Sequence, residues 1–434
     1  MRRGLVLLAV LGAAACVEQL VAPGQCPDFC PDRLSVVDTM LVNSISRDSA
    51  FRGYIRAHES TVRLVANHPH VRSFALSKTF GIIPHFVFGA DTAPIIGVDS
   101  VRVEFTLVQR DTAAHNLLLR LYRVAKTFDS TTTFGAVAPA FTDSLVRSVN
   151  LDTLLAFPQV HDSVLNLDIR RDTITGDYVR VDSLQRRVIV NLKLDSAQAP
   201  YVPADSGRLA FGIGVSADIS TTTALGSRFL PGTALSARWF VKADSAQLDT
   251  IARPLDAPTD FDTFVFDPPL PPIDSTLAVG GIPAARSLLR VNLPIGIRDS
   301  AQIIRATLVL VPDRAAQGAP ADSFLVAARR VQSDLGAKSV PAAQRFVGDS
   351  THAALAWVRI GSTDTVNIEV TGILRFWASD TTQPTAFLLQ QTTTPFNIIE
   401  GASLAEIRFR PSSDAAFRPV LHITYLPRYN FTIP

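Results

Sequence analysis

Apolar side chains recur at every second position in block after block of this chain, and a period of two is what a half-buried β-strand demands. Val101-Val103-Phe105-Leu107, Leu117-Leu119-Leu121, Val188-Val190-Leu192-Leu194, Leu209-Phe211-Ile213-Val215 and Leu235-Ala237-Trp239-Val241 each set one face inward. The pattern resumes at Leu288 to Leu293, Ala306-Leu308-Leu310, Phe324 to Val331, Ala353 to Ile360, Val366-Ile368-Val370, Phe387 to Leu389, Ile407-Phe409 and Leu421-Ile423-Tyr425. Helical periodicity is scarce; its main stretch is Thr371 to Ala378, where Ile373 and Trp377 stand four apart. Asp-Ser and Asp-Thr pairs such as Asp99-Ser100, Asp111-Thr112 and Asp195-Ser196 punctuate the blocks, because short oxygen-bearing side chains bond the local backbone and close turns. Many short strands without alternating helices predict an all-β chain of antiparallel sandwiches rather than a parallel α/β sheet.

The chain also repeats itself. Phe51 to Phe80 and Phe264 to Leu293 share acid-Ser-Thr (Glu59-Ser60-Thr61, Asp274-Ser275-Thr276), then apolar alternation, a proline (Pro69, Pro283) and an Arg-Ser pair (Arg72-Ser73, Arg286-Ser287). A duplicated module predicts two tandem jelly-roll-like β-sandwiches: domain 1 over 35–243 with an insertion near 128–175, a linker over 244–262, domain 2 over 263–428 and a tail over 429–434. The linker is expected from Pro254, Pro258 and a run of acids with little apolar alternation. The Asp-, Ser- and Thr-rich insertion is expected to carry an extra hairpin or a mobile loop.

The first fifteen residues have the layout of a secretory signal: Arg2 and Arg3, an apolar Gly4 to Gly12, then small Ala13 to Ala15. A dozen apolar residues fall short of the roughly 20 needed to cross a bilayer, so a permanent transmembrane helix is disfavoured. LGAAAC resembles the lipobox of bacterial lipoproteins, and the resemblance implies acylation of Cys16 and a lipid bilayer as a partner. Val17 in place of Asp points to the outer membrane. Residues 16–34, with Pro23, Gly24, Pro27 and Pro31, read as a lipidated tether. In an exported protein Cys26 and Cys30 form an even pair expected to bridge as a small disulfide loop. Of 41 basic residues, loss of Arg2 and Arg3 leaves 39 against 39 acids, so nothing announces nucleic-acid binding.

In the second half, STLAVGG, RSLLRVNLP, IIRATLVLV, TVNIEVTGILRFW and FRPVLHITY follow in order. Their glycine Gly280, strand-opening Arg286, Ala306-Leu308-Leu310, Val370-Thr371-Leu374-Trp377 and Arg418-Pro419-Leu421-Ile423-Tyr425 resemble the DNRLRE-type β-sandwich domain, a disaggregatase-related family allied to carbohydrate-binding modules. The match spans Phe264 to Leu426. The first half departs further, closing on ALSARWFVK. The resemblance implies a displayed, non-catalytic binding or scaffolding module with polysaccharide as ligand; a structural or adhesive role on an envelope protein is the alternative, and a polysaccharide hydrolase using acids of the 128–175 insertion a further one.

Linear signatures of catalysis are missing: no Gly-x-Ser-x-Gly elbow, no His-Glu-x-x-His and no Walker loop. No cofactor or metal is expected. Gly212-Ile213-Gly214-Val215-Ser216-Ala217 satisfies a loose dinucleotide fingerprint, but Asp218 to Thr223, all β-branched, Ser or Asp, is no helix, so a glycine-containing strand is expected. His68-Pro69-His70, with His58 and His85, offers imidazoles for zinc, yet the second copy carries Gly281-Ile282-Pro283-Ala284 there, so a surface loop is favoured. A sugar platform needs an exposed ring. Trp239 shares a face with Leu235, Ala237 and Val241 and is expected in the core, as are Trp377 and Trp357. Phe240 falls on the opposite face with Ser236, Arg238 and Lys242 and is the candidate ligand-binding ring.

Overall fold

The computed structural model describes residues 36–53, 56–69, 71–88, 91–163, 166–243, 253–267, 275–318, 323–332, 334, 353–392, 400–401 and 403–427. It is all-β, and every strand pairing in it is antiparallel. Two strands open the chain, β1 (Val37–Leu41) and β2 (Ile45–Arg52). A first run follows: β3 (Val62–His68), β4 (Val71–Thr79), β5 (His85–Phe88), β6 (Asp91–Arg110), β7 (Leu118–Arg123), β8 (Leu145–Asn150), β9 (Gln159–Asp162) and β10 (Leu167–Arg171). It continues through β11 (Tyr178–Asp182), β12 (Arg187–Asp195), β13 (Ala210–Ser216), β14 (Thr221–Gly226), β15 (Ser236–Ala243), β16 (Arg253–Ala257) and β17 (Thr259–Asp267). The second run is β18 (Leu277–Gly280), β19 (Ala285–Val291), β20 (Ala301–Leu310), β21 (Ser323–Arg330), β22 (Ala354–Arg359), β23 (Val366–Glu369), β24 (Ala386–Thr392), β25 (Glu406–Phe409) and β26 (Val420–Pro427). The α-helices are short: α1 (Phe134–Val137), α2 (Ala140–Asp143), α3 (Leu151–Ala156), α4 (Ile295–Arg298) and α5 (Thr371–Ser379).

The second run builds a sandwich. A four-stranded sheet, β1-β26-β20-β23, faces a seven-stranded one, β22-β21-β24-β19-β18-β25 with β2 beside β19. The period of two supplies the core between them: Leu289 and Val291 from β19, Ala306, Leu308 and Leu310 from β20, Ile368 from β23, and Leu421 and Ile423 from β26. Helix α5 adds Ile373, Leu374 and the fully buried Trp377 to that core, as the four-residue spacing predicts. In the first run a single 15-stranded sheet wraps a separate core containing Phe105, Phe211 and Trp239. The 20-residue β6 makes that wrapping possible: β12 lies along its middle, β15 pairs with its first part and β14 with its last.

The pairing pattern of one run reproduces that of the other. Hairpin β3–β4 corresponds to β18–β19; β13 joins β4 and β7 as β24 joins β19 and β21; β8 edges β7 as β22 edges β21; β15 lies beside β6 as β26 lies beside β20. The repeated Arg-Ser pair explains part of this. The Ser73 hydroxyl donates to the Leu64 carbonyl at 2.8 Å, and the Ser287 hydroxyl donates to Ala278 at 2.8 Å, so each serine ties the two strands of its hairpin together nine residues apart.

The expected boundaries shift in one respect. Residues 253–262, anticipated as linker, form β16 and the start of β17, with Ala257 fully buried; β16 pairs with β15, and β17 pairs with β4. Proline tolerates the edge position of β16, and the solvent-facing Asp256 is held by Arg238, so little apolar alternation shows in the sequence. Conversely, β1 and β2, expected in domain 1, pair with β26 and β19. Each run is thus completed by two strands, β16–β17 for the first and β1–β2 for the second. The expected signal peptide and tether, with Cys16, Cys26 and Cys30, residues 244–252 and the expected tail lie outside the described residues.

The 128–175 insertion contains α1, α2, β8, α3 and the hairpin β9–β10, which extends the sheet through β11. Its first part covers the outer face of β4 and β13. Phe141 stacks on Phe74 with centroids 3.6 Å apart and planes 8° from parallel. The glycines of the loose dinucleotide fingerprint lie in strand β13 and make room for this stack: a Cβ at Gly212 would sit 2.5 Å from the Phe141 ring, and one at Gly214 3.0 Å from Phe74. Gly212→Ala is accordingly expected to destabilise the protein by about 1–3 kcal/mol through overpacking, read as a lower urea midpoint at unchanged slope.

Where the runs meet, Ile282 and Leu404 of the second pack against the Val62, Leu64 and Phe264 cluster of the first. The Ser60 hydroxyl donates to the Glu400 carbonyl at 3.2 Å. The Glu400 carboxylate in turn binds the guanidinium of Arg286, Nε to Oε1 at 2.9 Å, with both side chains fully buried. The first run buries Arg63 instead, whose Nε donates to the Gly226 carbonyl at 3.0 Å and lies 3.8 Å from Asp262. Desolvation pushes the Arg63 guanidinium below its ordinary pKa, and the Asp262 charge opposes that fall.

Candidate functional site

The three tryptophans divide sharply. Trp239 and Trp377 are fully buried, the first edge-on to Tyr201 and the second against Phe387 at 4.8 Å. Trp357, expected in the core, is 69% exposed. It sits on β22, the terminal strand of the seven-stranded sheet, opposite Leu325. Alternation correctly puts Trp357 with Leu355, but the core takes the other set, Ala356 and Val358, because a period of two says which residues share a face and not which face is covered. The indole is therefore presented to solvent by a backbone held in a ladder, with the exposed Arg359 two residues along the same face.

Phe240 lies on the outer face of β15, as alternation predicts, but only half-exposed: Ser100 and Pro254 stand across from it on the two flanking strands. Phe240 lines neither of the two grooves described next. Tyr429 and Phe431 lie outside the described residues.

Among the described residues, two polar grooves stand out. One, about 550 Å³, lies on the outer face of the four-stranded sheet and is lined by Asp38, Arg305, Thr307, Val309, Asn367, His422 and Thr424. Its residues come from four strands in register: Asp38 opposes Thr424, Met40 opposes His422, and Thr307 stands between His422 and Glu369. Asp38 Oδ1 accepts from the Thr424 hydroxyl at 2.8 Å and pairs with His422 Nε2 at 2.9 Å; Arg305 Nε reaches Glu369 at 3.0 Å. The Thr424 bond first, and the His422 bond next, hold the Asp38 carboxyl below its ordinary pKa. Such a row of donors and acceptors, from a carboxylate, an imidazole, an amide, a guanidinium and two hydroxyls, suits a polyhydroxylated ligand. No sequence signal marks it, because its wall is assembled from Asp38, from Arg305, Thr307 and Val309, from Asn367 and from His422 and Thr424, which lie far apart along the chain.

The other groove, about 530 Å³, lies at the tip of the β3–β4 hairpin, with His68, Arg72, Asp218 and Asp267 among its lining residues. Of the weighed histidines, His68 lines it, His58 stacks on Phe261 at 6.0 Å, His85 is exposed on β5, and His70 lies outside the described residues. Among the described residues no three His, Cys, Asp or Glu side chains converge as metal ligands. No described helix is long and apolar enough to cross a membrane.

A scan of the chain against protein-family models finds no match, and a search of curated proteins finds none.

Proposed function

We propose that this chain is a surface-displayed, non-catalytic binding or scaffolding lipoprotein that takes polysaccharide as its ligand and is held to the outer membrane through acylated Cys16. The matching pairing patterns of the two runs support an origin by duplication of one β-sandwich module, in keeping with the DNRLRE-type resemblance. The observation that carries the binding function is Trp357: a 69% exposed indole on a ladder-held strand is an amphipathic ring left uncovered where both other tryptophans are core. A rigid exposed indole offers stacking area at little conformational cost.

Trp357→Ala is expected to change the unfolding free energy, measured in urea, by no more than about 0.5 kcal/mol. The same change is expected to weaken polysaccharide retention in affinity gel electrophoresis by roughly tenfold or more. Because the other two indoles are buried, iodide quenching of the parent reports mainly on Trp357, and protection from iodide by added polysaccharide places the ligand on it. Retention unchanged by the substitution removes Trp357 from the site. For the anchor, mass spectrometry of membrane-extracted protein is expected to find Cys16 as an acylated N-terminus; a bare Cys16 ends that part of the proposal.

A further inference from the structure

The strands that complete the two runs enter their clefts from opposite directions along the chain. In the first run β16 and β17 follow β15 and turn back onto β15 and β4. In the second, β1 and β2 come from the far end of the chain and occupy the corresponding edges of β26 and β19, with Val37 opposite Tyr425 and Phe51 opposite Arg286. One type of cleft thus accepts a strand pair by either covalent route. What holds the pair is its own contacts.

Those contacts are extensive for β1–β2. Ile45 is buried in the second core, Leu41 packs against it, and Phe51 packs on the cluster of Leu288, Val331 and Leu388. Arg52 grips Glu406 through two nitrogens, at 2.9 and 2.8 Å. The Asn292 amide donates to the Ser44 carbonyl at 2.7 Å, and the Arg418 guanidinium to Asn43 at 2.6 Å. Between β2 and β3 runs a short connection that begins at Gly53, whose φ of +70° lies in the region glycine alone adopts freely.

We propose that Val37–Arg52 is an exchangeable donor pair, and that the cleft between the β19 and β26 edges is an interaction surface for a second copy of this chain. Rotation of the connection at Gly53 lets the pair leave its own cleft and enter that of a neighbour with every contact above preserved. Strand addition to an open sheet edge is held by main-chain bonds and alternate side-chain pockets, both supplied equally in trans. Since donor and acceptor are different surfaces, exchange runs head to tail, closing as a reciprocal dimer or extending as a chain of copies. The proposal is independent of any ligand.

Cysteine pairing tests it. In full-length chains with Cys16, Cys26 and Cys30 changed to Ser, Met40→Cys and His422→Cys face one another across β1 and β26, a directly opposed pair within disulfide reach. The double variant is expected to close within one chain on mild oxidation, seen as a monomer of altered mobility without reductant; failure to close overturns the register itself. The two single variants, unfolded and refolded together at high concentration and then oxidised, are expected to give a covalent heterodimer of native circular dichroism. A Met40→Cys chain refolded with a Leu184→Cys chain, whose cysteine lies in an exposed turn of the first run, is expected to give none. A heterodimer yield no greater than that control overturns exchange between copies.

Discussion

A chain that starts after Arg52 is expected to lose the fold of the second run while keeping that of the first. Removing β1 and β2 strips the β26 and β19 edges of their partners and takes Ile45, Leu41 and Phe51 out of their packing. At about 1.5–3 kcal/mol for each fully buried side chain, and less for the two partly buried ones, the loss is on the order of 5 kcal/mol before any main-chain bond is counted. That is comparable with the whole stability of a typical domain, about 5–15 kcal/mol. The first run keeps its own completing strands, β16 and β17, and should remain folded. Hydrogen exchange followed by mass spectrometry provides the check: amides of 275–427 should exchange freely in the truncated chain and those of 56–267 should stay protected. Equal protection of both would mean that β1 and β2 are ornamental to the second core. Restoring residues 36–52 as a separate peptide should return protection to 275–427.

The second large effect is expected at Arg286. Both it and Glu400 are fully buried, so Arg286→Met takes from that carboxylate the guanidinium bonded to it and leaves it the longer-range attraction of Arg329. Breaking such a pair from one side costs about 3–5 kcal/mol, whereas replacing both partners by apolar groups is often neutral or better. Arg286→Met should therefore lower the urea midpoint far more than the double change Arg286→Met with Glu400→Leu. If the single and double variants unfold together, the pair adds nothing beyond its volume. Because Glu400 also accepts from Ser60 through its carbonyl, the single variant should loosen the junction of the two runs as well, visible as faster exchange at Thr61 and Val62.

The strands and their inward faces were legible because alternation is a local property: the blocks around Phe105, Phe211, Trp239, Leu308 and Ile423 are all core strands with those residues buried. The hairpin repeated at Arg72-Ser73 and Arg286-Ser287 was legible too, since its serines do the same work twice. What escaped is non-local. Nothing in ISRDSAFR says that it lies beside RSLLR rather than beside the hairpin that follows it, for either edge satisfies its backbone. The sequence around Pro254 and Pro258 looked like a linker because an edge strand needs only one side of its ladder and few apolar residues. Trp357 was misjudged for a related reason: at the rim of a sheet the smaller set of alternating residues can be the inner one. The polar groove draws Asp38 and His422 from opposite ends of the chain, and only the closed fold places them 2.9 Å apart.

The pairing of β1 with β26 also bears on how the protein is made. A ribosome delivers the first strand early and its neighbour only after some 380 further residues, an interval on the order of tens of seconds at about 5–20 residues per second. When β17 is complete the first run has all of its strands, while β19 and the core residues that shelter Ile45 and Phe51 have still to be made. A nascent chain of this design is a closed first run led by two strands whose own partners are synthesised after it.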